Sequence, residues 1–333
     1  MFLLGSGFGR FEVSLMRILL TGATGFVGRA VMERIAEVSG LDLLVALRRP
    51  FTGIPVGVTS IQVGELAADA DWKSALVGRD VVVHAAARAH VLNETVADPT
   101  SEFRRVNVDG TLALAKQAAA AGVKRFVFIS SIGVNGNQSS RPFTEDDSPH
   151  PVEPYAVSKL EAEQGLRLLA VKTGMEVVII RPPLVYGPNA PGNFARLIKL
   201  VSKGLPLPFA AVQNKRSLVA LDNLVDFILT CMSHPAAANQ TFLIADGEDL
   251  SIGDLLRRLG GALGKPVRLL PVSAWVLEMG AAVLGRKALY QRLCGSLQVD
   301  ITKARTLLGW VPVSNVDKAL GKTASYYLEH QER

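Results

Sequence analysis

Tyr155 and Lys159 stand four residues apart, and Ser131 lies 24 residues before the tyrosine. On a helix, residues four apart share a face, so the phenol and the ammonium meet. A nearby cation favours the phenolate and lowers a tyrosine's pKa, which makes Tyr155 a usable acid and base near neutrality. Ser131, just past an apolar run, is placed to hydrogen-bond a carbonyl oxygen and aim it. A Tyr-x-x-x-Lys pair alone arises easily by chance. It gains weight from a second feature, Gly22-x-x-Gly25-x-x-Gly28, which follows a short apolar run and opens a helical pattern. There Gly22 makes the tight turn, Gly25 lets the backbone approach a pyrophosphate, and Gly28 lets helix pack on strand. The helix amino terminus then faces the phosphates, with Thr24, Phe26 and Val27 completing the cradle. Together the two features imply hydride transfer with a nicotinamide dinucleotide, and Lys159 also stands ready to hold its ribose hydroxyls.

The second strand of such a unit ends in Asp or Glu when the ribose 2′-hydroxyl of NAD is bound. Here it ends Ala46-Leu47-Arg48-Arg49-Pro50. A guanidinium can clamp a 2′-phosphate in bidentate fashion, so Arg48 and Arg49 favour NADP(H), with NAD(H) still possible. The alternative is that both arginines simply point into solvent. Gly64-Glu65-Leu66 follows the third strand, where Glu65 and Leu66 could meet the adenine edge. Ala85, Ala86 and Ala87 close the fourth, and side chains that small let a dinucleotide lie flat against the backbone.

The elements that must position these residues are legible as alternating apolar runs and helical patterns, the mark of a parallel sheet wrapped by helices. Strands are predicted at Arg17–Leu20, Leu43–Leu47, Ser60–Val63, Asp80–His84, Arg125–Ser130 and Glu176–Arg181, apolar enough to be buried on both faces. Helices are predicted near Phe26–Val38, Trp72–Leu76, Glu102–Ala121 and Pro154–Thr173. Past about residue 183 the alternation weakens and prolines become dense. The division expected is an extension at 1–15, a dinucleotide domain at 16–182, and a smaller mixed lobe at 183–333, interleaved with the first. Gly5-x-Gly7-x-Gly9 is a decoy with almost no strand before it, and Met16-Arg17-Ile18 reads as the real start.

Composition removes other classes. The chain has 333 residues, a net charge of +6 and 36 Lys and Arg, but no run of four. With aromatics at 6%, no base-stacking platform and hence no nucleic-acid partner is expected. Cys231 and Cys294 make no framework, and five scattered His lack ligand spacing, which suits a reduced, metal-free cytoplasmic protein. The longest apolar run, Ala274 to Leu284, is too short to span a bilayer and is interrupted by Glu278. Mean hydropathy is +0.26, yet no amphipathic basic helix supports a membrane role, so no membrane insertion is expected. His90 and His150 read as surface residues, and Glu145, Asp146 and Asp147 as a solvated loop before Pro149.

The chain resembles the extended short-chain dehydrogenase/reductases, in their nucleotide-sugar epimerase, dehydratase and reductase branch. The resemblance is carried by Thr21-Gly-Ala-Thr-Gly-Phe-Val-Gly28, His84-Ala-Ala-Ala87, Asn107-Val-Asp-Gly-Thr111, Ser130-Ser-Ile-Gly-Val-Asn-Gly136, Tyr155-Ala-Val-Ser-Lys159 and Arg181-Pro-Pro-Leu-Val-Tyr-Gly-Pro188. It implies a Rossmann-like, doubly wound parallel sheet with a smaller mixed α/β carboxyl lobe. It also implies Pro182 as a nicotinamide contact, and Ser131 and Leu184 on the substrate side. Asn193-Phe194 would form a nucleotide-sugar loop, and Arg216 and Arg292 would bind the diphosphate. Asn107 would tie a helix to the neighbouring strand end. Helices like Glu102–Ala121 and Pro154–Thr173 would pair two copies through a four-helix bundle, the alternative being ordinary core packing.

Within that branch, Ile132 and Gly133 after Ser131 disfavour the acid pair of the dehydratases. Two enzymatic readings stand. One is a UDP-4-keto-6-deoxy-hexosamine 4-reductase of surface-polysaccharide synthesis, favoured by Arg48 and Arg49 and by Leu184, where many epimerases show Asn. The other is a UDP-glucose or UDP-N-acetylglucosamine 4-epimerase that retains NAD. A non-catalytic NADP-binding regulator is the minor third, against which Ser131, Tyr155 and Lys159 all stand intact.

Overall fold

The computed structural model describes residues 15–89 and 98–331, so the Gly5–Gly9 pattern and His90 lie outside the described residues. Seven parallel strands form the main sheet in the order β3-β2-β1-β4-β5-β6-β9. They are β1 (Met16–Thr21), β2 (Leu41–Leu47), β3 (Thr59–Gln62), β4 (Val81–His84), β5 (Arg125–Ile129), β6 (Glu176–Arg181) and β9 (Thr241–Leu243). The order reverses between β1 and β4, where Thr21 pairs with His84. A crevice opens beyond the carboxyl ends of strands at such a switch point.

Alternation along β1 sends Ile18 and Leu20 to one face and Leu19 to the other. The first face is covered by α1 (Phe26–Ala36) and α7 (Leu221–Ser233), the second by α2 (Lys73–Leu76), α4 (Thr111–Ala120) and α5 (Pro154–Thr173). Burial on both faces explains the near-continuous apolar reading of β1, β4 and β5. β3 departs from that expectation, because it is an edge strand and largely exposed.

The helix expected over Glu102–Ala121 forms from Pro99 to Ala120 but changes its winding midway. α3 (Pro99–Arg104) passes into a π-helical turn at Arg105–Gly110 before α4 begins. That turn brings Asn107 inward, where its amide bonds both the N–H and C=O of Arg88 and the hydroxyl of Ser158. Gly110 meets Leu66 so closely that a Cβ would lie 2.7 Å from its Cγ. The helix therefore widens where it must fit against the strand end and α5 at once.

A second sheet, β10-β8-β7, is mixed: β7 (Leu184–Tyr186) runs parallel to β8 (Arg216–Ala220), and β10 (Asp249–Leu250) runs antiparallel to it. Its core joins α6 (Gly192–Ser202), α8 (Ile252–Ala262) and α12 (Val316–Gln331). α9 (Ala274–Val283), α10 (Lys287–Cys294) and α11 (Thr302–Leu308) complete the chain. β9 lies beyond residue 183 yet extends the main sheet beside β6, so the two parts share a sheet. No helix among the described residues is long and apolar enough to cross a membrane.

Candidate active site

The turn after β1 needs glycine at two positions, for space at both and also for conformation at the first. Gly22 has φ +75°, and a Cβ there would lie 2.5 Å from the amide nitrogen of Ala86. At Gly28 a Cβ would lie 2.1 Å from the carbonyl oxygen of Gly22. Gly25 is different, since its φ is −82° and a Cβ would only approach that oxygen to 3.3 Å. A side chain at Gly25, which is exposed, asks that oxygen to give by only a few tenths of an ångström. Gly25 also begins α1 without a side-chain cap, and the first turn holds no acid. The uncapped N–H groups and the positive end of the helix dipole suit a phosphate. Thr24 is exposed beside it, while Phe26 and Val27 are half-buried against the core. This cradle fits the pyrophosphate of a dinucleotide.

Around it, Ala85, Ala86 and Ala87 lead away from β4, with the amide of Ala85 bonded to the Thr21 carbonyl and that of Ala86 to its hydroxyl. Arg48 and Arg49 are exposed at the end of β2 and make no ion pair with a described carboxylate. Glu65 is exposed and 3.8 Å from Arg105, and Leu66 packs beside Gly110.

α5 carries Tyr155 and Lys159, opening with Pro154 at its first position and ending on Gly174 in the left-handed conformation. Lys159 is fully buried, with Nζ donating to the Ile129 carbonyl at 2.7 Å and lying 4.4 Å above the Phe128 ring. Burial holds it down at about 7, against the opposing pull of Glu163. Tyr155 is half-buried, and loss of water pushes its phenol up to about 12. This corrects the expectation that the lysine lowers the tyrosine. Lys159 Nζ is aimed at a backbone carbonyl, 5.9 Å from the centre of the tyrosine ring, and desolvation outweighs it.

Ser131 follows β5, with its hydroxyl accepting from the Gly133 amide at 3.1 Å. The next amide, of Ile132, donates to the Pro182 carbonyl, so Ser131 and Pro182 stand at neighbouring strand ends. Leu184 is half-buried at the start of β7. Behind this row sits a network that the motifs alone do not announce. Glu163, one helical turn past Lys159, takes both nitrogens of a bidentate contact from Arg181 at 2.9 and 2.5 Å, and the Ser130 hydroxyl at 2.6 Å. Arg181 also donates to Asn135. His84 is likewise fully buried, bridging Thr21 and Thr111, and burial pushes it down to about 3. The i, i+4 spacing of Lys159 and Glu163 was the one available signal, but carboxylates at that spacing are common on solvated faces.

The substrate-side residues are brought together only in part. Arg216 donates to the Gly295 carbonyl, and Arg292, on α10, donates to Glu153 at 2.6 Å, so both bear on the end of α10. Glu153 immediately precedes α5, two residues from Tyr155. Asn193 is half-buried in the first turn of α6, but the Phe194 side chain lies fully in the second core, against Tyr186. Its ring packs inward instead of toward the crevice, because α6 needs an apolar anchor there. Glu145 is also corrected. It is no solvated loop residue, since it accepts from the Leu243 amide at 2.9 Å and burial raises it above the usual carboxylate range. A cavity of about 490 Å³ is lined by residues that include Asn135, Gln138, Arg141, His150, Val152 and Gln291, without Ser131 or Tyr155. Among the described residues no group of three His, Cys, Asp or Glu could hold a metal.

The model of the NAD dependent epimerase/dehydratase family matches residues 18–253. A UDP-glucose 4-epimerase of Vibrio cholerae is 46% identical over 319 residues, covering 95% of this chain and 97% of its own length. The N-acetyl-α-D-glucosaminyl-diphospho-ditrans,octacis-undecaprenol 4-epimerase of Escherichia coli O157:H7 is 28% identical over 332 residues, covering 95% and 96%. Among solved structures, the UDP-glucose 4-epimerase of Thermotoga maritima is similar with a TM-score of 0.74 at 24% identity, covering 95% of this chain and 100% of that one. The UDP-glucuronic acid 4-epimerase of Bacillus cereus, in complex with NAD, is similar with a TM-score of 0.76 at 22% identity, covering 94% and 99%. At those identities the two structures speak for the fold.

Proposed function

The chain belongs to the NAD dependent epimerase/dehydratase family, and from that membership we propose that it interconverts the C4 epimers of a UDP-hexose or UDP-N-acetylhexosamine. The observation that carries epimerisation over reduction is the 46% identity to the Vibrio cholerae UDP-glucose 4-epimerase along nearly the whole of both chains. When bound, the nicotinamide supplies the hydride acceptor and donor at C4. Tyr155 takes the proton of the C4 hydroxyl and returns it, and Ser131 holds the same oxygen between the two events. Lys159, tethered at Ile129, holds the ribose side of the cofactor and supplies a charge next to Tyr155 when protonated. The turn from Gly22 to Gly28, with Thr24, Phe26 and Val27, receives the pyrophosphate, and Ala85, Ala86, Ala87 and Pro182 border the rest of the dinucleotide. Glu65 and Leu66 border its adenine. Arg216 and Arg292 receive the diphosphate of the substrate, with Leu184 and Asn193 beside the sugar and Phe194 contributing only backbone.

The second reading is an NADPH-dependent 4-ketoreductase, and the specific observation favouring it is that Arg48 and Arg49 are exposed at the end of β2 and paired with no described carboxylate. Denaturing the purified protein and identifying the released dinucleotide by mass spectrometry separates the two. Stoichiometric NAD, with interconversion of UDP-glucose and UDP-galactose or of their N-acetyl forms, supports the epimerase. An empty protein that takes up NADPH and interconverts neither pair supports the reductase. We further assign the protein to the cytoplasm, where nucleotide sugars and reduced thiols belong, and to a dimer through the outer faces of α4 and α5, which leave Leu168 and Val171 exposed in one copy.

A further inference from the structure

We propose that the helical hairpin α9–α10, with the loop bonded to its foot, docks on an anionic lipid bilayer. The run Ala274-Trp-Val-Leu-Glu-Met-Gly-Ala-Ala-Val-Leu284 carries one charge, Glu278, and would ordinarily be core. In the fold, α9 has no buried residue at all. Trp275 is 65% exposed and Val283 85%, and Val276, Met279, Leu284 and Leu289 are exposed with them. Leu277 and, on α10, Leu293 and Cys294 pack the hairpin against the second core. Its foot is bonded to the loop after α6, through the Leu207 amide to Arg268 and the Leu270 amide to Leu207, which adds exposed Leu205 and Leu270. Contiguous apolar surface of this kind marks a contact with something apolar.

The charges around it choose the occupant. Lys203, Lys265, Arg268, Arg286 and Lys287 are all exposed, and among the described residues no carboxylate pairs with any of the five. A second copy of this chain seated on the same face would bring these cations against one another. A bilayer with anionic headgroups instead meets the basic rim with opposite charge and the apolar helix with its acyl boundary, while Trp275 suits the interface between them. α9 has ten residues, too few to span, so it lies in the plane of the interface. The same hairpin carries Arg292, so the docked face and the residue beside Glu153 share one helix pair. The inference is independent of which sugar reaction the protein performs.

Of the three tryptophans, Trp72 and Trp310 are 2% and 5% exposed, so an emission change on lipid binding reports Trp275. Full-length protein is mixed with vesicles of phosphatidylcholine alone, or of equal parts phosphatidylcholine and phosphatidylglycerol, and followed by sedimentation and tryptophan emission. The anionic vesicles are expected to carry the protein down and shift its emission to the blue, less so as salt is raised. Arg286→Gln and Lys287→Gln should each weaken partitioning about five-fold. Met279→Asp with Val283→Asp should abolish both signals at an unchanged melting temperature, since neither side chain is buried. Absence of sedimentation and blue shift with anionic vesicles at low salt overturns the proposal, as does undiminished binding of the double Asp variant. If wild type ignores vesicles and the double variant lowers its mass in solution, the face belongs to a second copy, which also overturns it.

Discussion

Tyr155 and Lys159 illustrate how far the environment of a side chain can depart from its type. The phenol is pushed up to about 12 and the ammonium down to about 7, both chiefly by loss of water. For the proposed reaction this means that the free protein holds the Tyr155 proton firmly at neutral pH. Tyr155→Phe should therefore lower kcat by about 10³ with the melting temperature kept, measured by coupled assay and thermal denaturation. For stability the sign is definite. An unfolded lysine holds its proton up to about pH 10.4, whereas folded Lys159 loses it above about 7, so unfolding takes up a proton between those values. Burial of Lys159 thus costs nothing above that window, an increasing amount as pH falls through it, and a constant amount below. Wild type should gain stability from pH 7 to pH 9 in urea titrations, and Lys159→Met should lose that gain. A variant that kept the same slope would place the proton elsewhere.

At the scale of elements, the loop from β1 to α1 separates what the fold needs from what a ligand needs. A Cβ at Gly22 or Gly28 would overlap backbone atoms of the same protein, while one at Gly25 would come only to 3.3 Å from such an atom, at an uncapped helix end. Gly28→Ala should cost about 3 kcal/mol or more, because its Cβ would overlap a carbonyl that cannot move without β1. Gly25→Ala should leave the melting temperature within a degree or two and instead weaken dinucleotide binding at least ten-fold by calorimetry. The π turn at Arg105–Gly110 has the same origin, since one helix must satisfy Asn107 and clear Leu66 at Gly110. No periodicity of three and four residues could announce it.

At the scale of the whole molecule, the hairpin α9–α10 and the outer face of α5 both leave apolar side chains exposed in a single copy. They differ in surroundings. The hairpin is rimmed by cations that no described carboxylate pairs, whereas Arg104 beside α5 is already tied to Glu161 in a bidentate pair. That contrast sends the first toward lipid and the second toward another copy of the chain. Leu168→Glu with Val171→Glu should convert a dimer to a monomer in light scattering, with each folded copy retained, because both side chains are exposed in the monomer. A mass that did not change would remove α5 from the interface.

The sequence by itself determined the parallel sheet, the ends of β6 and α5 to the residue, the glycine turn after β1, and the place of Tyr155 and Lys159 one turn apart on α5. Each of those rests on spacing or apolar runs within some twenty residues, which a local reading captures. Only the tertiary structure decided the rest. Lys159 meets Ile129 from 30 residues away, Glu163 meets Arg181 across 18, and Glu145 meets Leu243 across 98. Phe194 turned inward and the apolar run of α9 turned outward for the same reason. Burial is a property of which distant segments arrive at a site, and with it go desolvation, protonation and the surfaces left for partners.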